Sequence, residues 1–229
     1  MKQTGKIELS GNSIIQNERG LWFSAHEKLK EAGTGIEHMK VAPDRISYES
    51  GWIKFIDSIE EAWTSFFDEG KNQFPNFQPW AGAKDKQRKS DQLLAYLVQS
   101  RHQSQHGNVA VEWEPGKIQV APNFYGEIND LKIYSDGSFE VEANPSGDSH
   151  NTVTLKHIPG DPTLPTIQNK REKEEYLPPK EHLGKKIYDC SPLAVANIAI
   201  DYYRATFQEA MEKFGCAKAV TQVSKKRCM

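Results

Sequence analysis

The chain has 229 residues and a formal net charge of −2, so its overall charge gives no reason to expect nucleic-acid binding, and any such case must be local. Apolar residues make up 37% and charged residues 26% of the chain, a composition typical of globular proteins on the polar side. No apolar run approaches the ~18 residues needed to span a bilayer, and the chain start lacks the apolar core of a secretory signal, so no membrane association is expected. The three cysteines show no C-x-x-C spacing, which argues against a disulfide framework or a zinc knuckle and favours a reducing cytoplasm.

Two helices are predicted before the first proline-rich segment. Residues 21–32 predict a short helix, with Trp22 and Leu29 on one side and Gly33 as its stop. A long helix is predicted from about Asp44 or Ser50 to Glu69. Its apolar residues fall within about 100° of arc and are interpreted as core rather than as a ligand box: Tyr48, Trp52, Phe55, Ile56, Ile59, Trp63, Phe66 and Phe67.

A loop is predicted over residues 72–84, because this segment holds two prolines and a glycine. A further helix is predicted from about Lys86 or Ser90 to about His106, with Gly107 as its left-handed cap. Two basic patches are interpreted as solvated linker or frayed tail: Lys84, Lys86, Arg88 and Lys89, and, at the C-terminus, Lys218, Lys225, Lys226 and Arg227.

After Gly107 the apolar period changes to two, which predicts an antiparallel meander of four or five strands. Hairpins are expected about the Pro115-Gly116 and Asp136-Gly137 turns, and residues 152–156 predict one more strand. Residues 159–188 are proline-rich and charged and are interpreted as a return loop. Ser191-Pro192 then predicts the start of a closing helix that ends at Gly215, followed by a disordered tail over residues 216–229.

The segment from Ser100 to Gly107 carries the sharpest signal in the sequence. Leu94, Leu97 and Val98 define an apolar helix face, and Arg101 falls near the middle of that face. A guanidinium cannot lie bare against a core, so Arg101 is expected to meet an anion, a buried partner or a subunit interface.

The same segment resembles the HEPN superfamily (higher eukaryotes and prokaryotes nucleotide-binding domains). The resemblance rests on Arg101, the polar residue His102 and, after three further positions, His106, near a helix end. It implies a mainly α fold, a HEPN-like helical bundle that here carries a small antiparallel β-sheet insertion (α+β overall). The corresponding parts are residues 1–107, the N-terminal helices ending in the motif; 108–188, the β insertion and return loop; 189–215, the closing helix; and 216–229, the tail.

The resemblance implies a metal-independent RNA endonuclease that acts by 2′-hydroxyl attack and needs no cofactor. Arg101 would bind the phosphate and the transition state, His106 would serve as general acid or base, and His102 would support them. On an ideal helix Arg101 and His106 lie about 140° apart and about 7.5 Å apart along the axis. The helix must therefore unwind, or two symmetry-related motifs must meet in a homodimer, which is the arrangement expected here. By analogy, the protein would be a toxin or defence ribonuclease that acts on RNA and is regulated by an antitoxin or another protein.

Two alternatives follow from the same residues. His102 and His106 have the i, i+4 spacing of two metal ligands on a helix, although the sequence places no third ligand. In the other alternative, Arg101 pairs with a buried carboxylate such as Glu60 or Asp57, and His106 only caps the helix. The protein would then be a non-catalytic, dimeric nucleotide- or protein-binding module.

Overall fold

The computed structural model describes residues 22–105, 110–120, 126–134, 139–145, 155–158, 160–169 and 174–215. This part of the chain is mainly helical and carries small antiparallel β-sheets, which confirms the coarse fold class. Its helices are α1 (Phe23–Val41), α2 (Arg45–Gln73), α3 (Phe77–Ser90), α4 (Gln92–Gln105) and α5 (Pro192–Ala210), and a π-helical turn (Met211–Gly215) follows α5.

Helix α2 forms the centre of the helical core, as its apolar periodicity predicts. Asp44 begins the helix by accepting a hydrogen bond from the Ser47 N–H at 2.7 Å. The apolar stripe of α2 is buried from Tyr48 to Phe66, with Phe67 partly exposed. Phe66 stacks on Phe207 of α5, with ring centroids 4.1 Å apart. The interpretation of this stripe as core is confirmed.

Helix α1 is longer than the sequence predicts, because Gly33 does not end it. The buried face continues through Ile36 to Met39, so packing extends the helix beyond the glycine. Gly35 is required by a close approach of two helix backbones. A Cβ built on Gly35 would lie 2.7 Å from the carbonyl oxygen of Gly51 on α2.

The predicted loop over residues 72–84 is wrong, because residues from Phe77 onward form α3. Pro79 lies in the first turn of α3, where a proline removes no intrahelical hydrogen bond. Buried Phe77 anchors this turn against Phe66 and Phe214. The helix expected from about Lys86 or Ser90 corresponds to α4, and the later of the two starts is the better one, because Asp91 has an extended backbone that separates α4 from α3.

Helix α5 starts where the sequence predicts. The Ser191 hydroxyl accepts a hydrogen bond from the Ala194 N–H at 3.3 Å, and Pro192 occupies the first turn. Helix α5 lies against α1 and α2, with ring contacts from His26 and Trp63. The disorder predicted for residues 216–229 falls outside the described residues.

The strands pair differently from a meander. Hairpin β3–β4 is confirmed, with Ile133 opposite Phe139. The hairpin expected about Pro115-Gly116 is wrong, because β1 pairs with β6 and β2 pairs with β5. The strands are β1 (Glu112–Trp113), β2 (Lys117–Val120), β3 (Gly126–Ile133), β4 (Phe139–Pro145), β5 (Leu155–Ile158), β6 (Pro162–Thr163), β7 (Ile167–Asn169), β8 (Glu174–Tyr176), β9 (Glu181–His182) and β10 (Lys185–Lys186).

The chain divides into two compact units. One unit contains the helices together with the segment that follows residue 163, and the other contains residues 112–163. Within the helical unit, part of the predicted return loop is structured as the antiparallel pairs β7–β8 and β9–β10. Leu183 and Gly184 connect β9 to β10 with positive φ angles of 50° and 75°.

Candidate functional site

Arg101 lies in the last turns of α4, and Asp57 supplies an anion, one of the three kinds of partner expected for it. Its Nε donates a hydrogen bond to Oδ1 of Asp57 on α2 at 3.2 Å. The Arg101 side chain is 26% exposed and that of Asp57 is 37% exposed. Asp57 is one of the two carboxylates that the structural alternative names as a partner. Among the described residues this is the only hydrogen bond of the Arg101 guanidinium, and it leaves the two Nη groups of Arg101 as further donors.

The two histidines of the motif are placed differently. His102 follows Arg101 on α4 and is exposed, and within the described residues no group hydrogen-bonds to its ring. His106 lies outside the described residues, and so does Gly107. The structure therefore brings Arg101 together with Asp57, while the distance from Arg101 to His106 stays a prediction.

A second arginine cluster lies where α3 meets α2 and α5, and sequence reasoning missed it. Arg88 is 5% exposed, so its interpretation as part of a solvated basic patch is wrong. Its Nη2 donates to Oε1 of Glu60 in a short contact, and its Nε donates to the Tyr203 hydroxyl at 2.9 Å. The guanidinium also lies 4.6 Å from the ring centre of Trp63.

The charge of Arg88 is balanced and hydrogen-bonded inside the Arg88 cluster. Burial alone would lower the pKa of Arg88, but Tyr203 and Glu60 outweigh burial and raise that pKa. Burial raises the pKa of Tyr203, which stays a neutral hydrogen-bond acceptor for Arg88. Because each buried charge has its partners, the cluster fixes the packing of α3 against α2 and α5. The sequence signal was weak, since Arg88 stands among solvated lysines.

The junction between α3 and α4 holds a buried carboxylate. Asp91 accepts hydrogen bonds from the Leu94 N–H at 3.0 Å, from His182 Nδ1 at 2.9 Å and from the Leu183 N–H at 2.7 Å. Its side chain is only 6% exposed. Burial would raise the pKa of Asp91, but the bonds from His182, Leu183 and Leu94 together lower it. Asp91 thus starts α4 and fixes the β9–β10 hairpin at the same time.

Side chains of α4 also hold the rest of the return segment. The Tyr96 hydroxyl donates to the Pro165 carbonyl at 2.8 Å, and Gln99 accepts from Asn169 at 3.3 Å. Gln92 Oε1 accepts from the backbone N–H groups of Lys180 at 2.7 Å and Glu181 at 3.0 Å. These hydrogen bonds hold the return segment along α4. No apolar periodicity in the sequence indicates this contact.

A polar groove opens at the α3–α4 junction, at the opposite end of α4 from Arg101. Its volume is about 580 Å³. The groove is lined by residues of the two helix ends and of the β9–β10 hairpin: Gln87, Ser90, Asp91, Gln92, Lys180, Glu181, Leu183, Gly184 and Lys186. No pattern in the sequence indicates this groove, because its two walls are about 90 residues apart along the chain.

The described residues contain neither a metal-binding cluster nor a membrane-spanning helix. Among them, no group of three or more His, Cys, Asp or Glu side chains is arranged to hold a metal ion. None of the described helices combines the length and apolar character needed to cross a bilayer. Comparisons with protein-family models, curated proteins and solved structures find no match for this chain.

Proposed function

We propose that the protein is a metal-independent RNA endonuclease whose site includes Arg101 and His106. The observation that carries the proposal is the way in which Arg101 is held. Asp57 binds only Nε, so the carboxylate orients the guanidinium while the Nη groups keep their donors. A planar guanidinium oriented in this way suits bidentate binding of a phosphate.

The proposed chemistry is transesterification. A base removes the proton of the ribose 2′-hydroxyl, the 2′-oxygen bonds to phosphorus, and the bond from phosphorus to the 5′-oxygen breaks. An acid protonates the departing 5′-oxygen, so the products are a 2′,3′-cyclic phosphate and a 5′-hydroxyl. His106 would supply one of these proton transfers, and Arg101 would stabilise the charge on the phosphoryl oxygens. His102, exposed beside Arg101, would orient the substrate or His106.

The site is proposed to be completed by a second copy of the chain. Arg101 and His106 diverge by about 140° on a straight helix, so they act on one phosphate only if the helix end unwinds or the motifs of two chains meet. The partial exposure of Arg101 leaves its side chain accessible to a partner. An isologous homodimer would place two such arginines in one cleft.

The test is RNA cleavage by the purified protein in excess EDTA. We expect cleavage products with 2′,3′-cyclic phosphate ends, lost in Arg101→Ala and in His106→Ala. The matched control is Arg204→Ala, because Arg204 is also an arginine bound to one aspartate, Asp201, at 3.2 Å. Activity that requires a divalent metal, or equal loss in the Arg204 variant, would contradict the proposal.

One observation favours a second candidate, a non-catalytic dimeric module that binds nucleotide or protein. The Arg101–Asp57 pair already supplies the guanidinium with an anion inside the chain. If that is its whole role, no RNA is cleaved, and Asp57→Ala lowers stability to the same extent as Arg101→Ala. If Arg101 acts on phosphate, Asp57→Ala reduces cleavage but keeps the dimer.

A further inference from the structure

The groove at the α3–α4 junction differs from the Arg101 region in the kind of polar group that it exposes. Two of its glutamines have their carbonyl oxygens engaged inside the protein. Gln92 Oε1 accepts two backbone N–H bonds, and Gln87 Oε1 accepts from the Tyr202 hydroxyl at 3.0 Å. Because each amide oxygen is engaged, the amide nitrogens of Gln87 and Gln92 are the groups left to bind a ligand.

Two ammonium groups line the same groove. Lys180 directly precedes β9 and Lys186 lies on β10, and both are exposed. Within the described part of the chain, neither ammonium lies within ion-pair distance of a carboxylate; Lys186 lies 5.2 Å from the ring centre of Tyr188. The groove therefore carries two ammonium groups without an ion pair to a described residue, beside two amide nitrogens.

Two carboxylates also line the groove, and they differ in whether the protein already occupies their acceptor oxygens. The acceptors of Asp91 are engaged by His182, Leu183 and the first turn of α4. Glu181 is exposed and lies opposite Lys186 in the β9–β10 pair. Its carboxylate is the one anionic group in this lining without such engagement, and it would repel an anionic ligand.

We infer that this groove binds a phosphate group through Lys180, Lys186 and the amide nitrogens of Gln87 and Gln92. A phosphate carries negative charge and accepts hydrogen bonds, which matches the two ammonium groups and the amide nitrogens, while Glu181 is the one opposing charge that is not engaged by the protein. A carboxylate ligand would use fewer of the donors, and a cation would meet two ammonium groups. The phosphate is carried either by a free nucleotide or by a nucleic-acid strand. This site is separate from Arg101 and does not depend on RNA cleavage.

The experiment measures binding of adenosine monophosphate by calorimetry and of a labelled single-stranded RNA oligonucleotide by fluorescence anisotropy. We expect Lys186→Ala and Lys180→Ala each to weaken binding about tenfold, as loss of one charge-assisted hydrogen bond does. With the oligonucleotide, each variant should lower the slope of log affinity against log salt by about 1. Glu181→Gln should tighten binding, because it removes the repulsive charge without changing the shape of the side chain.

Lys185→Ala is the matched control, because Lys185 neighbours Lys186 on the same short strand and is equally exposed but does not line the groove. Thermal unfolding of each variant checks that the fold is intact. Sensitivity of adenosine monophosphate binding to Lys186→Ala assigns a nucleotide site, and sensitivity with the oligonucleotide alone assigns a strand site. Failure of both probes to bind, or equal weakening by Lys185→Ala, overturns the inference. RNA cleavage is measured on the same variants, so that a failure of phosphate binding in the groove can be distinguished from a failure of the endonuclease proposal.

Discussion

At the α3–α4 junction, Arg88 and Asp91 are each held by several partners and shielded from water, whereas at the other end of α4 Arg101 has one described partner and is partly exposed. Arg88 meets a carboxylate, a phenol and an indole face. Among the described residues, Arg101 meets only Asp57, through one nitrogen. The α3–α4 junction and the far end of α4 thus hold charge in different ways.

The contrast between Arg88 and Arg101 distinguishes a structural cation from one that is available to bind a ligand. Burial alone does not mark a functional arginine, because the more deeply buried Arg88 has its donors engaged by the protein itself. Arg101 differs because Asp57 orients its guanidinium through Nε, while its Nη groups remain available as donors. Substitutions at the α3–α4 junction should therefore lower the free energy of unfolding more than substitutions of Arg101 or Asp57.

Replacing Arg88 with alanine should have the largest effect. It leaves Glu60 as a buried charge without its cation and removes the contact with Trp63, so we expect the free energy of unfolding to fall by about 3–5 kcal/mol. Urea unfolding followed by circular dichroism measures this change. The exposed Arg204→Ala variant should change the same quantity by less than about 1 kcal/mol. A loss no larger than that control would remove the distinction between the two arginines.

Replacing Asp91 with asparagine should have an intermediate, pH-dependent effect. At pH 7 we expect a loss of about 1–2 kcal/mol, because one residue caps α4 and holds His182 and Leu183. The folded protein lowers the pKa of Asp91, so its contribution is present above the unfolded pKa of about 3.9 and is lost as the pH falls through the folded pKa.

The gap in unfolding free energy between the wild type and Asp91→Asn should therefore narrow only below about pH 4. Urea titrations between pH 7 and pH 3 measure the gap. A gap that widens toward acid would show that the charge of Asp91 is not stabilised by its partners in the folded protein.

Removing the Arg101–Asp57 pair should have the smallest effect on stability. Both side chains are partly exposed and share one hydrogen bond, so a double-mutant cycle of Arg101→Ala and Asp57→Ala should give a coupling energy of about 0.2–1 kcal/mol. Chemical denaturation of the four proteins supplies the cycle. A coupling near that of a buried pair would make Arg101 a structural residue and weaken the endonuclease proposal.

Much of the helical core could be predicted from the sequence, and the errors have identifiable causes. The stripe of α2 and the Ser191-Pro192 start of α5 depend on local periodicity and capping, so they were found. Gly33 predicts a helix stop because local propensity disfavours glycine, yet packing of Ile36 and Met39 continues α1 past it. The pairing of β1 with β6 was missed because it joins residues far apart in sequence.

The candidate site was predictable only in part. The position of Arg101 on an apolar face predicts an anion, a buried partner or a subunit interface, and Asp57, one of two carboxylates expected as buried partners, binds it while remaining 37% exposed. The burial of Arg88 was missed because its neighbours Lys86 and Lys89 suggested a solvated helix face. The groove could not be foreseen, since hydrogen bonds from Asp91 and Gln92 to a distant hairpin create it.

The pairing of β1 with β6 has a consequence for how the chain tolerates its inserted unit. Glu112 lies opposite Thr163, so the first and last strands of residues 112–163 are joined where that unit begins and ends. Loop-closure entropy rises only with the logarithm of the number of enclosed residues, about 0.6 kcal/mol for each doubling. Because β1 and β6 pair with each other, the two ends of residues 112–163 stay close together. Residues can therefore be gained or lost between β1 and β6 during evolution without changing the distance between these two ends.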